Sequence, residues 1–121
     1  MKEMRESVFL DFLGNSPTAR VLDFLITGRE FDYSLTDIAE KSEIGWTTLH
    51  RILPSLKKME ILVPTRAVGR ARLYKLNQKN ENVKKLIELY DSLLKRELGK
   101  AEEESRVKAV AIEKTRKRTK N

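Results

Sequence analysis

The chain has 121 residues, 40% of them hydrophobic and 36% charged, with a formal net charge of +7 and no cysteine. That length suits one domain with at most a helical extension, and the missing thiols exclude disulfides, thiolate zinc sites and thiol catalysis. No apolar run approaches the roughly 20 residues of a bilayer span, and the opening MKEMRESVFLDFLG has acids in its apolar stretch and no small-residue cleavage site, so a cytoplasmic protein without a signal peptide is expected.

Met4, Val8, Phe9, Phe12 and Leu13 recur at helical spacing and predict a first amphipathic helix, ended by Gly14-Asn15. Ser16-Pro17 starts a second, with Ser as N-cap and Pro at the first helical position, where a missing N–H costs nothing. Val21, Leu22, Leu25 and Ile26 form its inward stripe, Gly28 stops it, and residues 29–33 connect. Ser34 and Asp37 have capping-box spacing and open a short third helix, with Leu35, Ile38 and Ala39 facing inward. It ends near Lys41-Ser42. A turn to Gly45 leads to a fourth helix from Trp46 to about Met59, with Leu49, Ile52, Leu53 and Leu56 on its core side. Pro54 inside it removes a backbone hydrogen bond and is expected to bend it.

The apolar period then changes. Ile61-Leu62-Val63 and Leu73-Tyr74-Lys75-Leu76 read as strands, with Gly69 at the hairpin tip and Pro64 confining the first strand to an edge. After Asn77, Val83, Leu86, Ile87, Tyr90, Leu93, Leu94 and Leu98 form a helical stripe that Gly99 can interrupt. Residues 100–121 have few large apolar groups and end in a basic run, so they read as a frayed helix or a disordered tail.

Charge is unevenly placed along this pattern. Lys and Arg stand against Asp and Glu at 5 to 9 in residues 1–43, 8 to 1 in residues 44–79 and 12 to 8 in residues 80–121. Surfaces usually mix signs, so the middle segment is a candidate phosphate-facing surface.

A short helix, a tight turn and a longer helix is helix-turn-helix geometry, which projects the start of the second helix into a major groove about 12 Å wide. A following hairpin with a basic tip is a wing. The stretch LTDIAEKSEIGWTTLHRILPSLKKMEILVPTRAVGRARLYKLN, with SPTARVLDFL upstream, resembles the winged helix-turn-helix of MarR/ArsR-type transcriptional regulators, the small archaeal ones most. The resemblance covers about half the chain. It implies a mainly α fold with a small β-hairpin and terminal helices used for dimerisation. Ile38, Ala39, Ile44, Leu49, Leu53 and Leu56 match its core positions. Trp46, Thr47, Thr48, His50 and Arg51 match the DNA-facing start of the recognition helix, and Arg66, Arg70 and Arg72 match the wing. Two positions depart from the pattern. Glu43 stands where the turn usually has Gly, and Gly45 where the helix usually has a Ser or Thr cap. These departures imply either a reshaped turn or a positive φ at Glu43 that costs of order 1 kcal/mol.

Elementary chemistry gives these residues matching roles. Arg51 can make bidentate contacts to guanine O6 and N7. Thr47 and Thr48 sit at a helix N-terminus, where hydroxyls and free N–H groups hold a phosphate. His50 reads either as a base or phosphate contact or as a surface residue. Trp46 has two readings, packing on sugar or a thymine methyl and covering the turn. Arg70 at the tip suits minor-groove insertion, with Arg66 and Arg72 along phosphates. As the only histidine, His50 has no partner for a metal site or a relay. Glu102-Glu103-Glu104 point in different directions along a helix and read as a solvated face.

The expected organisation is an N-terminal helix with a possible dimer contact (1–14), a winged helix-turn-helix DNA-binding domain (15–78), a C-terminal dimerisation helix (79–99) and a basic helical or disordered tail (100–121). The function expected is sequence-specific binding of double-stranded DNA as a homodimeric transcriptional regulator, with helix 46–58 in the major groove and wing 63–76 at the minor groove or backbone. No cofactor, metal or membrane is implied, and no catalytic set is visible. Two alternatives stand beside it, a winged-helix protein–protein module in a larger nucleic-acid assembly and an RNA-binding protein.

Overall fold

The computed structural model describes residues 7–119, and side chains as far as residue 114. Met4, placed by the sequence in the first helix, lies outside the described residues. Except for the helix that opens at Trp46, each described helix starts where a short polar side chain satisfies a free N–H group. Ser7 caps α1 (Val8–Leu13), accepting from the Leu10 N–H at 3.3 Å and donating to Asp23 at 2.9 Å. Ser16 caps α2 (Pro17–Thr27), with Pro17 in the first turn as expected. Before α3 (Leu35–Ser42) both bonds of the capping box form: the Asp37 N–H donates to the Ser34 hydroxyl at 3.1 Å, and the Ser34 N–H donates to the Asp37 carboxylate at 3.4 Å. Helix α4 (Trp46–Lys58) continues through Pro54, which lies on its exposed side.

Strands β2 (Leu62–Val68) and β3 (Ala71–Leu76) form the hairpin, joined by Gly69-Arg70. Gly69 has φ +62° and Arg70 has no positive φ, the pattern of a two-residue type II′ turn. Residues 29–33 show no strand pattern and are expected to be a plain connection, but Tyr33–Ser34 form a short strand, β1. It pairs antiparallel with β3 (Tyr33 with Tyr74, Ser34 with Leu73), giving a three-stranded sheet of order β1-β3-β2. Two residues carry too little pattern to announce a strand, and this one exists because β3 offers it a partner. Strand β2 is an edge, as Pro64 requires.

The core gathers one stripe from every helix. Phe9, Val21, Leu25, Ile26, Ile38, Leu49, Leu53 and Leu56 pack with Leu62 and Leu76 of the sheet and Val83 of α5 (Glu81–Thr119). The first helix divides differently from its periodicity: Phe9 is fully buried, while Phe12 and Leu13 are 60% and 46% exposed.

Helices α3 and α4 both end in Schellman closures with a glutamate in the left-handed region. Glu43 (φ 57°) follows α3, with Ile44 N–H to Ala39 O at 3.0 Å and Glu43 N–H to Glu40 O at 3.1 Å. Glu60 (φ 56°) follows α4, with Ile61 N–H to Leu56 O at 2.9 Å and Glu60 N–H to Lys57 O at 3.0 Å. A Cβ is penalised in this conformation by about 1–2 kcal/mol, partly offset by the extra freedom glycine has when unfolded. Glu60→Gly is therefore expected to raise stability by about 0.5–1 kcal/mol, read as a higher midpoint in denaturant unfolding. An unchanged or lower midpoint would mean that the glutamate side chain supplies a compensating contact.

Asn80 ties α5 to this corner. Its amide nitrogen donates to the Met59 and Glu60 carbonyls at 2.9 and 3.1 Å, while its side-chain oxygen accepts from the Asn82 N–H at 2.8 Å, at the start of α5. Farther along, Tyr90 lies 5.3 Å from the Phe9 ring and its hydroxyl meets Thr27 at 2.6 Å, and Asp91 pairs with Arg29 at 3.2 Å. Beyond Leu93 the helix leaves the core. Leu94 and Leu98 are 41% and 57% exposed. Gly99 does not interrupt α5, which stays helical over 39 residues, about 58 Å at 1.5 Å per residue.

Candidate nucleic-acid interface

The turn between α3 and α4 is held from outside itself. Arg20 of α2 donates from Nη2 to the Glu43 carbonyl at 2.6 Å, which fixes the left-handed residue that sets the angle of α4. Gly45 precedes α4 and offers no side-chain cap, so the first N–H groups of this helix are left for solvent or ligand.

Trp46, Thr47, His50 and Arg51 are exposed on the first turns of α4, Thr48 is half-buried, and Leu49 between them is fully buried. Trp46 lies edge to face with His50, one turn on, with ring centroids 4.4 Å apart, and is still 50% exposed. Arg51 has no hydrogen-bond or ion-pair partner among the described residues. On the same helix Lys57 turns back to the sheet, with Nζ 5.1 Å from the centre of the Tyr74 ring.

The three wing arginines are in different states. Arg70 in the turn and Arg72 on β3 are exposed and have no ion-pair partner among the described residues. Arg66 is paired. Its Nε and Nη2 donate to the two oxygens of Asp32 at 3.0 and 3.2 Å, and the neighbouring Thr65 hydroxyl donates to the same carboxylate at 2.6 Å. Side chains alternate along a regular strand, so Thr65 and Arg66 should face opposite ways. A bulge brings them together: Pro64 pairs with Tyr74 and Ala67 with Arg72, leaving Thr65 and Arg66 opposite the single residue Leu73. Counting charge by segment credits the wing with Arg66 in full, whereas the fold brings it an acid from outside that segment.

Asp32 and Arg20 are the residues that sequence reasoning missed. No local signal marks either, because each acts on a partner far along the chain, Asp32 on a residue 34 positions away.

Hydrogen bonds from Arg66 and then Thr65 hold the Asp32 carboxyl well below its ordinary 3.8, at about 2. A depressed carboxylate contributes stability that is present above its unfolded value and lost as pH falls through the folded one. The wing contact is therefore expected to be intact above about pH 4 and to loosen toward pH 2. In an NMR titration, the Asp32 carboxyl of the native protein should titrate at about 2 and that of Arg66→Ala nearer the ordinary value. Equal midpoints would mean that the pair does not form in solution.

The acidic run Glu102-Glu103-Glu104 is wholly exposed on α5, with Glu103 paired to Arg106 at 3.3 Å. No helix among the described residues is long and apolar enough to cross a membrane.

No protein-family model matches the chain, and no curated protein matches it. Two solved structures are similar. One is ZitR of Lactococcus lactis, a double-substitution variant in apo form, at 25% identity over 74% of this chain and 71% of that one, with a TM-score of 0.54. The other is Sso10a-2, a DNA-binding protein from Sulfolobus solfataricus, at 15% identity over 73% of this chain and 92% of that one, with a TM-score of 0.46. The helix-turn-helix with its hairpin, together with the first of these likenesses, gives this chain a winged helix-turn-helix fold.

Proposed function

We propose that the protein binds double-stranded DNA in a sequence-specific way as a transcriptional regulator, with α4 in the major groove and the wing at the minor groove or backbone. The observation that carries this reading is the set of exposed arginines, Arg51 on α4 and Arg70 and Arg72 on the wing, unpaired among the described residues. The uncapped start of α4 adds free N–H donors for a phosphate beside Thr47 and Thr48. Arg51 reads bases, Arg70 enters the minor groove, and Arg72 follows phosphates.

The working unit in this proposal is a homodimer. Phe12 and Leu13 of α1 and Leu94 and Leu98 of α5 are exposed apolar side chains on two helices that pack against each other. Along α5, Ile87, Tyr90, Leu94, Leu98, Ala101, Ser105, Ala109 and Ile112 follow in steps of three, four and four. This is an eleven-residue repeat, which suits a nearly straight or gently right-handed pairing of helices. Two copies place two recognition helices on half-sites about 34 Å apart.

The test is duplex binding across a salt series. Three or four phosphate contacts per subunit give a log–log slope of roughly −6 for a dimer, and no binding at low salt would end the proposal. A second reading, a protein–protein module, draws on the half-exposed Trp46. Partner capture that Trp46→Ala abolishes, without duplex affinity, would favour it.

A further inference from the structure

We infer that Asp32 is a positioning residue for DNA contact: it grips one edge of the Arg66 guanidinium so that the other end of the group faces outward as a rigid fork for a phosphate. This rests on the DNA reading above and assigns a role to a residue outside both the recognition helix and the wing.

The geometry carries it. Arg66 uses Nε and Nη2 against the two carboxylate oxygens, a side-on pair of parallel bonds. A guanidinium has five N–H donors, and this arrangement occupies two on one edge. It leaves three, and of these one on Nη1 and the outer one on Nη2 form the end-on pair that matches two oxygens of a phosphate. Exposure separates the partners in the same sense: the Arg66 side chain is 66% exposed and that of Asp32 only 16%. The acid stands behind and the arginine in front.

The support is rigid on both sides. Asp32 directly precedes β1, which is paired to the central strand β3. Arg66 comes from the opposite edge, where the bulge aims it and Thr65 at the same carboxylate. The contact therefore spans the sheet from β1 to β2, across β3, below a hairpin tip that is otherwise exposed. An arginine held in this way loses less rotamer freedom on binding than a free one.

Charge alone predicts the opposite effect, which makes the inference testable. Removing an acid beside the wing makes the protein more positive and should tighten binding to a polyanion. If Asp32 positions Arg66, Asp32→Asn is instead expected to weaken binding to a duplex DNA by roughly threefold to tenfold, with thermal unfolding measured alongside. Arg66→Lys, which keeps the charge and loses the fork, should weaken it similarly. In an Arg66→Ala background, Asp32→Asn should cause no further loss, and the charge effect alone should tighten binding slightly. Binding by Asp32→Asn as tight as that of the native protein, or tighter, would overturn the inference while leaving the DNA reading intact. So would an equal loss with and without Arg66, which would mean that Asp32 acts on the fold alone. Failure of the native protein to bind any duplex would overturn the DNA reading and this inference with it.

Discussion

Arg51→Ala is expected to weaken binding to the preferred duplex by about 1–3 kcal/mol per half-site, roughly tenfold to a hundredfold, and to flatten the preference at the base pairs it meets. The reason lies in where the helix puts it. Leu49 and Leu53 anchor α4 in the core, fully or nearly fully buried. Arg51, between them in sequence, falls on the outer side, exposed and unpaired among the described residues. Its fork is free for guanine O6 and N7 without breaking an internal contact first. Arg70→Ala should behave differently. At the hairpin turn it meets backbone or minor groove, so its loss should weaken many sequences alike and reduce the salt slope of a dimer by about 2. Binding selection from random duplexes, followed by titrations at several salt concentrations, separates the two. If Arg51→Ala kept the full sequence preference, α4 would not be the reading element.

Phe9→Ala is expected to cost about 3–5 kcal/mol, a large share of the 5–15 kcal/mol that holds a typical domain together. Phe9 is fully buried, packs on Tyr90 of α5, and is the one buried residue of α1. Its removal leaves a cavity between the two helices whose outer faces are proposed to meet a second copy. Phe12→Ala is the matched control. That ring is 60% exposed, so its loss should change the stability of the isolated subunit little. It should instead shift the subunit–subunit equilibrium toward monomer. Chemical unfolding at several protein concentrations, with sedimentation for the assembly state, distinguishes the two effects. A Phe12→Ala protein that unfolds as easily as Phe9→Ala while its assembly state is unchanged would contradict this division of roles.

What the sequence determined by itself was short in range. Ser16-Pro17, the Ser34–Asp37 box, Gly28 and Gly69 act through atoms within about four residues, so their signals survive without a fold. The periodicities of Leu25 and Ile26, of Ile38, and of Leu49, Leu53 and Leu56 named the buried stripes, because an amphipathic helix has one way to hide its apolar face. The sequence marked Glu43 only through the resemblance, whose pattern has Gly there, and that left a reshaped turn and a strained glutamate both open. The fold keeps the turn and puts Glu43 at positive φ. Tertiary structure decided the rest. Strand β1 exists through its pairing with β3. Whether Phe9 or Phe12 faced the core depended on where Tyr90 arrived, and Gly99 stays helical because the helix on either side of it continues.

The wing shows the division most clearly. Sequence charge marked Arg66, Arg70 and Arg72 as equal cations in one basic segment. The bulge at Thr65-Arg66 and the placing of Asp32 beside β1 made one of them different, tied along one edge and open at its end. An ion pair between residues 34 apart leaves no pattern in either neighbourhood. It forms because the sheet brings its two outer strands to the same central one, and only the folded chain sets that distance.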